Sequence, residues 1–577
     1  MFTLYVQLLL RIDILCTLHL NPDCRSGRRR WCGATFLIAG GQIHVPSHTK
    51  EEVSMTLPII PLAAGLALLA LAFYKFIIYP AFLSPLAKIP NAHWTASISP
   101  LWILYHRQQQ QDTPVVHACH TRLGPIIRLA PNEVSVNSVD GGIRTIYAGG
   151  FEKGDWYSNV FSNYGVEPMF AMEAHGPHSK RKRMLSNVYA KSTLQTSPAL
   201  TKITDIMINE RLIPRLQKSA KSGEPVELYD VFSAVTMDYV TGYIFGVRNG
   251  SNFVQDYAAG VRLFHEFKAR QKYTFWPQEL PNVTSWLQRL GLKWLVVPTW
   301  VDSANSSIEN WVMSMCEKAE QTVQKIQQGE AVPPQDTPTV YTQLRTSLLK
   351  EPPSPPPSPP LHLTLASELL DHTLAGYDTS GILLTWLAWQ LSRPKNLPWQ
   401  TRLRQEILSA SSLDAKTLSS LPTLHAILME SLRLHPPIPG QQPRLTPPNT
   451  TTLLLGTYEI PPSTRVQAQA YSLHRHQNLA NPEEWDPSRW LSSSSDDQKD
   501  LLRAFWAFGS GGRMCVGSNF AVLDMKAVCV GVWGRFETEI VCDGGMVPNG
   551  GYMGEPIGVG DGERRRRRFL VVRVKEV

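Results

Sequence analysis

A run of ten residues, Phe508-Gly-Ser-Gly-Gly-Arg-Met-Cys-Val-Gly517, constrains this chain more than any other stretch. It is too rich in glycine to be helix, whereas Ser518 to Phe536 carries apolar residues at helical spacing. The spacing therefore predicts a loop that delivers Cys515 to a helix N-terminus. Free backbone N–H groups and the positive end of the helix dipole favour thiolate over thiol there, so the sulfur is suited to bind a metal. A cysteine on its own is most often a small core residue. This one has company: Gly509, Gly511 and Gly512 let the backbone lie flat against a bulky ligand, Gly517 permits a close approach behind the sulfur, and Arg513 adds a cation.

The run resembles the heme-binding signature of the cytochrome P450 family, Phe-x-x-Gly-x-Arg-x-Cys-x-Gly, and matches it at every fixed position. The resemblance implies that family's fold, mainly α with small β-sheets, and a single N-terminal transmembrane helix. It also implies heme b as cofactor, with Cys515 as the axial thiolate of its iron and Phe508 and Arg513 beside it. A thiolate ligand pushes electron density onto iron and favours O–O cleavage, unlike the histidine of an oxygen carrier.

With 577 residues, 43% of them hydrophobic and 18% charged, the chain can bury one large core. Length alone would suggest several domains, but the motifs are spread over most of the chain and serve one site, so 80–577 reads as a single catalytic domain. The net charge of +8 does not point to nucleic acid, because the aromatics are not interleaved with basic residues in a nucleic-acid motif. A membrane surface or an acidic protein partner accounts for it better. Eight cysteines without a Cys-x-x-Cys pair fit a reducing compartment.

Residues 1–54 differ from the rest. They hold Cys16, Cys24 and Cys32, the cluster Arg28-Arg29-Arg30, and an apolar stretch broken by Arg11 and Asp13 that is too short to span a bilayer. They read either as a signal peptide or, the favoured alternative, as a leader absent from the mature chain, with Met55 the true start. Leu57 to Tyr79 has Lys75 as its one charge and the length of a membrane anchor. Pro80, Pro85 and Pro90 are expected to stiffen the exit. With a start at Met55, the positive charges Lys75, Lys88 and Arg107 set the catalytic domain on the cytosolic side, and the basic leader would oppose that.

Gly124 to Asn137 alternates around a Pro-Asn turn and predicts a β-hairpin, similar to the first sheet of fungal members of the family. His178-Ser-Lys-Arg-Lys-Arg-Met-Leu opens a helix. In the family an aromatic or His followed four residues later by Arg meets a heme propionate. Here Lys182, flanked by Arg181 and Arg183, holds that place, and a solvated basic face is the alternative reading. Helical segments over 198–330, including Glu227 to Phe245 and Ser303 to Gln328, carry no evident chemistry. The proline run after Glu351 is expected to be an extended surface loop.

Leu361 to Leu391 is a long apolar helix with Ala375-Gly-Tyr-Asp378-Thr379-Ser380 at its middle. A buried aspartate and threonine there compete for backbone hydrogen bonds and need a reason. The run resembles the family's oxygen-activation motif, which implies Thr379 at the oxygen site, Asp378 as a proton relay, and Gly376 as room for a helix bulge. Glu430 and Arg433 share one helix face within Leu424 to Leu434. They resemble the family's Glu-x-x-Arg, and Trp485-Asp-Pro-Ser-Arg489-Trp490 resembles its Phe-x-Pro-x-Arg-Trp with Trp in first place. The resemblance makes Glu430, Arg433 and Arg489 a buried structural triad, and makes Arg444 a second propionate-binding arginine with Arg513. Phe569 to Val574 matches the closing hairpin, with Arg564 to Arg568 as a solvated turn, and no fused reductase is expected.

The activity implied is that of a membrane-anchored monooxygenase of the endoplasmic reticulum, resembling filamentous-fungal members that make secondary metabolites. It oxidises a hydrophobic small molecule with O2 and with NADPH-derived electrons from a separate NADPH-cytochrome reductase. Two alternatives remain: a reductase-independent heme-thiolate isomerase or dehydratase, against which the Asp378–Thr379 pair argues, and a non-catalytic heme-binding protein.

Overall fold

The computed structural model describes residues 59–352, 359–412, 414–476, 479–491, 495–558 and 570–577. The leader at 1–54, most of the proline run and Arg564 to Arg568 lie outside the described residues. The chain divides into two compact units at Tyr79/Pro80.

In the first unit, helix α1 (Ile59–Phe73) is built of leucine, alanine and isoleucine without a charge, and it continues as a π-helical segment over Tyr74–Leu83. Leu62–Leu83 is long and apolar enough to cross a membrane. The apolar helical segment runs four residues past Tyr79, to Leu83. Pro80 does not stop the helix, because the wider π turn relieves the clash that a proline ring makes with the carbonyl one α-turn back.

The second unit is mainly helical with small sheets, as the resemblance implied. The expected hairpin is present: β1 (Ile126–Ala130) and β2 (Glu133–Val136) pair antiparallel with Ile127 opposite Ser135. Its sheet is completed by β3 (Arg444–Leu445) and β4 (Arg465–Gln467), in the order β1-β2-β4-β3. Arg107 is buried in this body, paired with Glu133 and, at 3.0 Å, with Glu279.

Helix α2 (His175–Leu185) starts three residues before His178. Helix α3 (Leu228–Phe245) is buried on every side. An all-round apolar helix belongs at the centre of a large core. Its N-terminus is capped by the Glu227 carboxylate, which accepts from the N–H groups of Tyr229 and Asp230. Helix α4 (Tyr257–Gln271) packs on it. Helix α5 (Leu361–Ser392) lies along α3. A Cβ on Gly376 would stand 2.6 Å from Val240 Cγ2, so the glycine allows two helix backbones to approach. The Thr236 hydroxyl donates to the Tyr377 carbonyl across the contact at 3.0 Å. α5 is an unbroken α-helix, so the bulge expected at Gly376 is absent; close packing, rather than a local distortion, requires this residue.

Helices α6 (Pro422–Leu434) and α7 (Ser518–Trp533) complete the part of the core that concerns the site. β5 (Phe536–Cys542) then pairs antiparallel with β6 (Val571–Glu576), the closing hairpin, and Val226–Glu227 joins the far edge of β6. Cys119, Cys316, Cys515, Cys529 and Cys542, the cysteines among the described residues, are all free.

Candidate active site

A cavity lies between α5 and the Phe508–Gly517 loop. Gly509 and Gly511 adopt φ of +69° and +70°, a region that side chains disfavour. At Gly511 a Cβ would also stand 2.2 Å from the Tyr147 carbonyl oxygen. The Cys515 N–H donates to the Phe508 carbonyl at 3.0 Å and closes the loop, and Gly517 caps α7. Cys515 is exposed to this cavity yet enclosed from bulk solvent. That burial pushes its thiol pKa up, against the opposing pull of the Gly517 N–H and the Lys182 ammonium. Enclosure and the local donors thus act on the sulfur in opposite directions.

Four cations line one edge: Lys153, Lys182, Arg444 and Arg513. Arg444, held in β3, donates to the Tyr157 hydroxyl at 2.8 Å and lies over the Tyr147 ring. Arg513 donates to the carbonyls of Met172 at 2.7 Å and Glu173 at 2.5 Å. Lys153 donates to the Phe170 carbonyl and sits 3.8 Å from the centre of the Phe170 ring. Among the described residues none of the four has a carboxylate within ion-pair distance. Burial, then Arg444 and Arg513, holds the Lys153 ammonium well below its ordinary pKa. Burial and Arg444 bring Arg513 down to about 10. Cations gathered without counter-ions are costly, and the edge suits an anionic ligand.

The basic run on α2 is divided among three tasks. Arg181 pairs with the buried Glu368 at 2.9 Å, and Arg183 is exposed. Lys182 faces the cavity and donates to the carbonyls of Gly512 at 2.9 Å and Met514 at 2.8 Å. His178 is buried on the cavity wall with no partner for Nδ1, and burial beside Arg513 lowers its pKa to about 3. Sequence reasoning missed Lys153; the signal was a single lysine within the aromatic run Phe151 to Tyr157.

Opposite the sulfur loop, α5 presents Asp371, Ala375 and Thr379 on one face. The Thr379 hydroxyl donates to the Ala375 carbonyl at 2.9 Å. Asp378, next to it in sequence, points out of the cavity. Its Oδ1 lies 2.5 Å from Lys268 Nζ of α4, which also meets Glu555 at 2.8 Å. Burial outweighs Lys268 and raises the Asp378 pKa. The two residues expected to act together thus sit on different faces of the helix, with only Thr379 on the cavity wall.

Behind the loop, Arg433 forms a bidentate pair with Glu430, both hydrogen bonds 2.8 Å. Arg489 Nε lies 3.4 Å from the same carboxylate, and Trp490 Nε1 donates to it at 3.0 Å. Trp485, standing where the family pattern has Phe, donates to the Ser431 hydroxyl at 3.0 Å. His474 then joins this cluster to the sulfur loop: its Nδ1 bonds the Arg433 carbonyl at 2.8 Å and its Nε2 accepts from the Trp506 N–H at 2.8 Å. Motif reading gave no sign of His474.

Sulfur on one wall, an uncompensated cationic edge and apolar side chains elsewhere fit a flat, dianionic macrocycle carrying a metal. The comparisons agree with this chemistry. The model of the family described as Cytochrome P450 matches residues 96–550. The chain is 24% identical over 498 residues to cytochrome P450 monooxygenase FGM1 of Gibberella zeae, which covers 85% of this chain and 92% of that protein. It is 26% identical to the monooxygenase stcF of Emericella nidulans over 84% of this chain and 93% of the relative. With macH of Penicillium terrestre the identity is 27%, over 80% and 89%.

Proposed function

The chain belongs to the cytochrome P450 family of heme-dependent monooxygenases, and we propose that it is a membrane-anchored enzyme that inserts one oxygen atom of O2 into a hydrophobic small molecule. A separate NADPH-dependent reductase supplies two electrons, and the second oxygen atom leaves as water with two protons. The apolar helix Leu62–Leu83 is the proposed anchor, 80–577 the catalytic domain, and the endoplasmic reticulum with a cytosolic active site the proposed location. The fungal relatives favour a role in secondary metabolism.

Heme b, when bound, supplies the redox centre at which oxygen is reduced. Cys515 is the proposed iron ligand, and its exposure to the cavity alone supports that reading. Arg444, Arg513 and Lys182, together with Lys153, are proposed to take up the two propionate charges, with His178 and Phe508 packed nearby. Thr379 is the hydroxyl proposed to hold and hand on a proton at the oxygen site. Asp378, fixed by Lys268, feeds it from the far side of α5 by exchanging one partner for another. Glu430, Arg433 and Arg489 hold the segment behind the loop and take no part in the chemistry.

The observation that carries this reading is the Cys515 sulfur exposed to a cavity whose edge gathers four cations without an ion-pair partner among the described residues. The test is the reduced, carbon-monoxide-treated spectrum of the full chain. A Soret band red-shifted as thiolate ligation requires, lost in Cys515→Ala, is the expected result. A folded, heme-loaded wild type without that band overturns it.

A further inference from the structure

A second cavity, which shares no residue with the sulfur cavity, opens where the end of α4 meets the helices Pro281–Arg289 and Thr299–Gln327. Asn159, Thr274, Ser285, Gln288 and Asn305 give its wall amides and hydroxyls. Two cations, Arg270 and Lys293, stand there against one carboxylate, Asp302. Lys293 takes that carboxylate at 2.8 and 3.1 Å, which leaves Arg270. Its Nη1 donates to Asn305 Oδ1, its guanidinium lies 4.6 Å from the centre of the Phe267 ring, and its Nε is shut off from solvent without a partner. Among the described residues no carboxylate pairs with it. The acidic groups whose charge it feels are engaged elsewhere: Glu309 accepts from the Tyr164 N–H at 2.5 Å, and Asp378 takes Lys268 and accepts from Gln271 at 3.5 Å.

A guanidinium partly withdrawn from water without a counter-ion is costly, and its fixed fork of donors matches the oxygens of a carboxylate or phosphate. Because Asn305 turns Oδ1 toward Arg270, its Nδ2 is left as a donor. The Thr274 hydroxyl already donates to the Gln271 carbonyl at 2.8 Å, so it can only accept from a ligand. We propose that this cavity binds a small polar molecule through an oxyanion, with Arg270 as its counter-ion and Asn305, Gln288 and Ser285 as neutral hydrogen-bond partners. Such a ligand ties the helix Asp155–Phe161, which carries Asn159, to α4 and to the two helices that follow it. A molecule that binds only the folded arrangement of these stretches stabilises it. The inference goes beyond the oxidation chemistry and does not depend on what is bound at Cys515.

The test titrates inorganic phosphate and citrate into the heme-loaded full chain in a zwitterionic buffer, by calorimetry, and follows the thermal midpoint over the same concentrations. At least one probe is expected to saturate and to raise the midpoint. Phosphate alone marks a tetrahedral oxyanion, citrate alone a carboxylate, and both mark the charge itself. Arg270→Gln should weaken that binding by about tenfold or more. Asn305→Asp sets a carboxylate beside the guanidinium; it should abolish binding while the ligand-free midpoint holds or rises, and it carries the test should Arg270→Gln fold poorly. The two variants also distinguish this cavity from the four-cation edge of the other. No saturable binding of either probe to wild type, or binding undiminished in the variants, overturns the inference. The carbon-monoxide spectrum of the same preparations reports the thiolate independently, so a normal band without oxyanion binding sinks this proposal alone.

Discussion

At Cys515 two effects of opposite sign meet: the Gly517 N–H and Lys182 favour the thiolate, while enclosure favours the thiol and prevails. Sequence shows the part played by Gly517, because it is local; the approach of Lys182 and the enclosure depend on what the fold puts around the sulfur. Thr379 and Asp378 repeat the lesson: adjacent residues on a helix point about 100° apart, and here Thr379 lines the cavity while Asp378 pairs with Lys268. Thr379→Ala removes the hydroxyl on the wall without touching the Asp378–Lys268 pair. It should keep the carbon-monoxide band while product formed per NADPH falls by about tenfold or more and hydrogen peroxide rises. Unchanged coupling would remove Thr379 from the proton path.

At the scale of elements, the long-range ties are made by residues that no motif marks. His474 connects the Glu430–Arg433 pair on α6 to Trp506 at the start of the sulfur loop, and it accepts through Nε2, so it has to stay neutral. Burial lowers its pKa to about 3. In the unfolded chain the ring titrates near the ordinary value of about 6.5. The folded state therefore binds fewer protons below that pH, and stability is present above about 6.5 and is lost as pH falls toward 3. Between pH 7 and 5 the loss from this group is about 2 kcal/mol. His474→Gln can make both bonds without titrating, so its denaturation midpoint should fall less than that of wild type over the same interval. Parallel slopes for the two proteins would refute the assignment.

At the scale of the whole molecule, the division at Tyr79/Pro80 separates an apolar helix from a body that contains the entire cavity. Removing residues 1–79 should move the protein from the membrane pellet toward the soluble fraction with the carbon-monoxide band intact; a protein still fully sedimented would rule out that helix as the principal anchor. The sequence by itself determined the family, the sulfur loop and the apolar N-terminal helix, because each is written in residues close together in the chain: glycines around a cysteine, an uninterrupted apolar run, apolar residues at helical spacing. Only the tertiary structure decided that Lys182 rather than Arg181 or Arg183 faces the cavity, that Lys153 joins the cationic edge, and that Gly376 serves packing. Those outcomes depend on which distant side chains have already been matched to each other, and desolvation and pairing are settled by neighbours in space rather than by spacing along the chain.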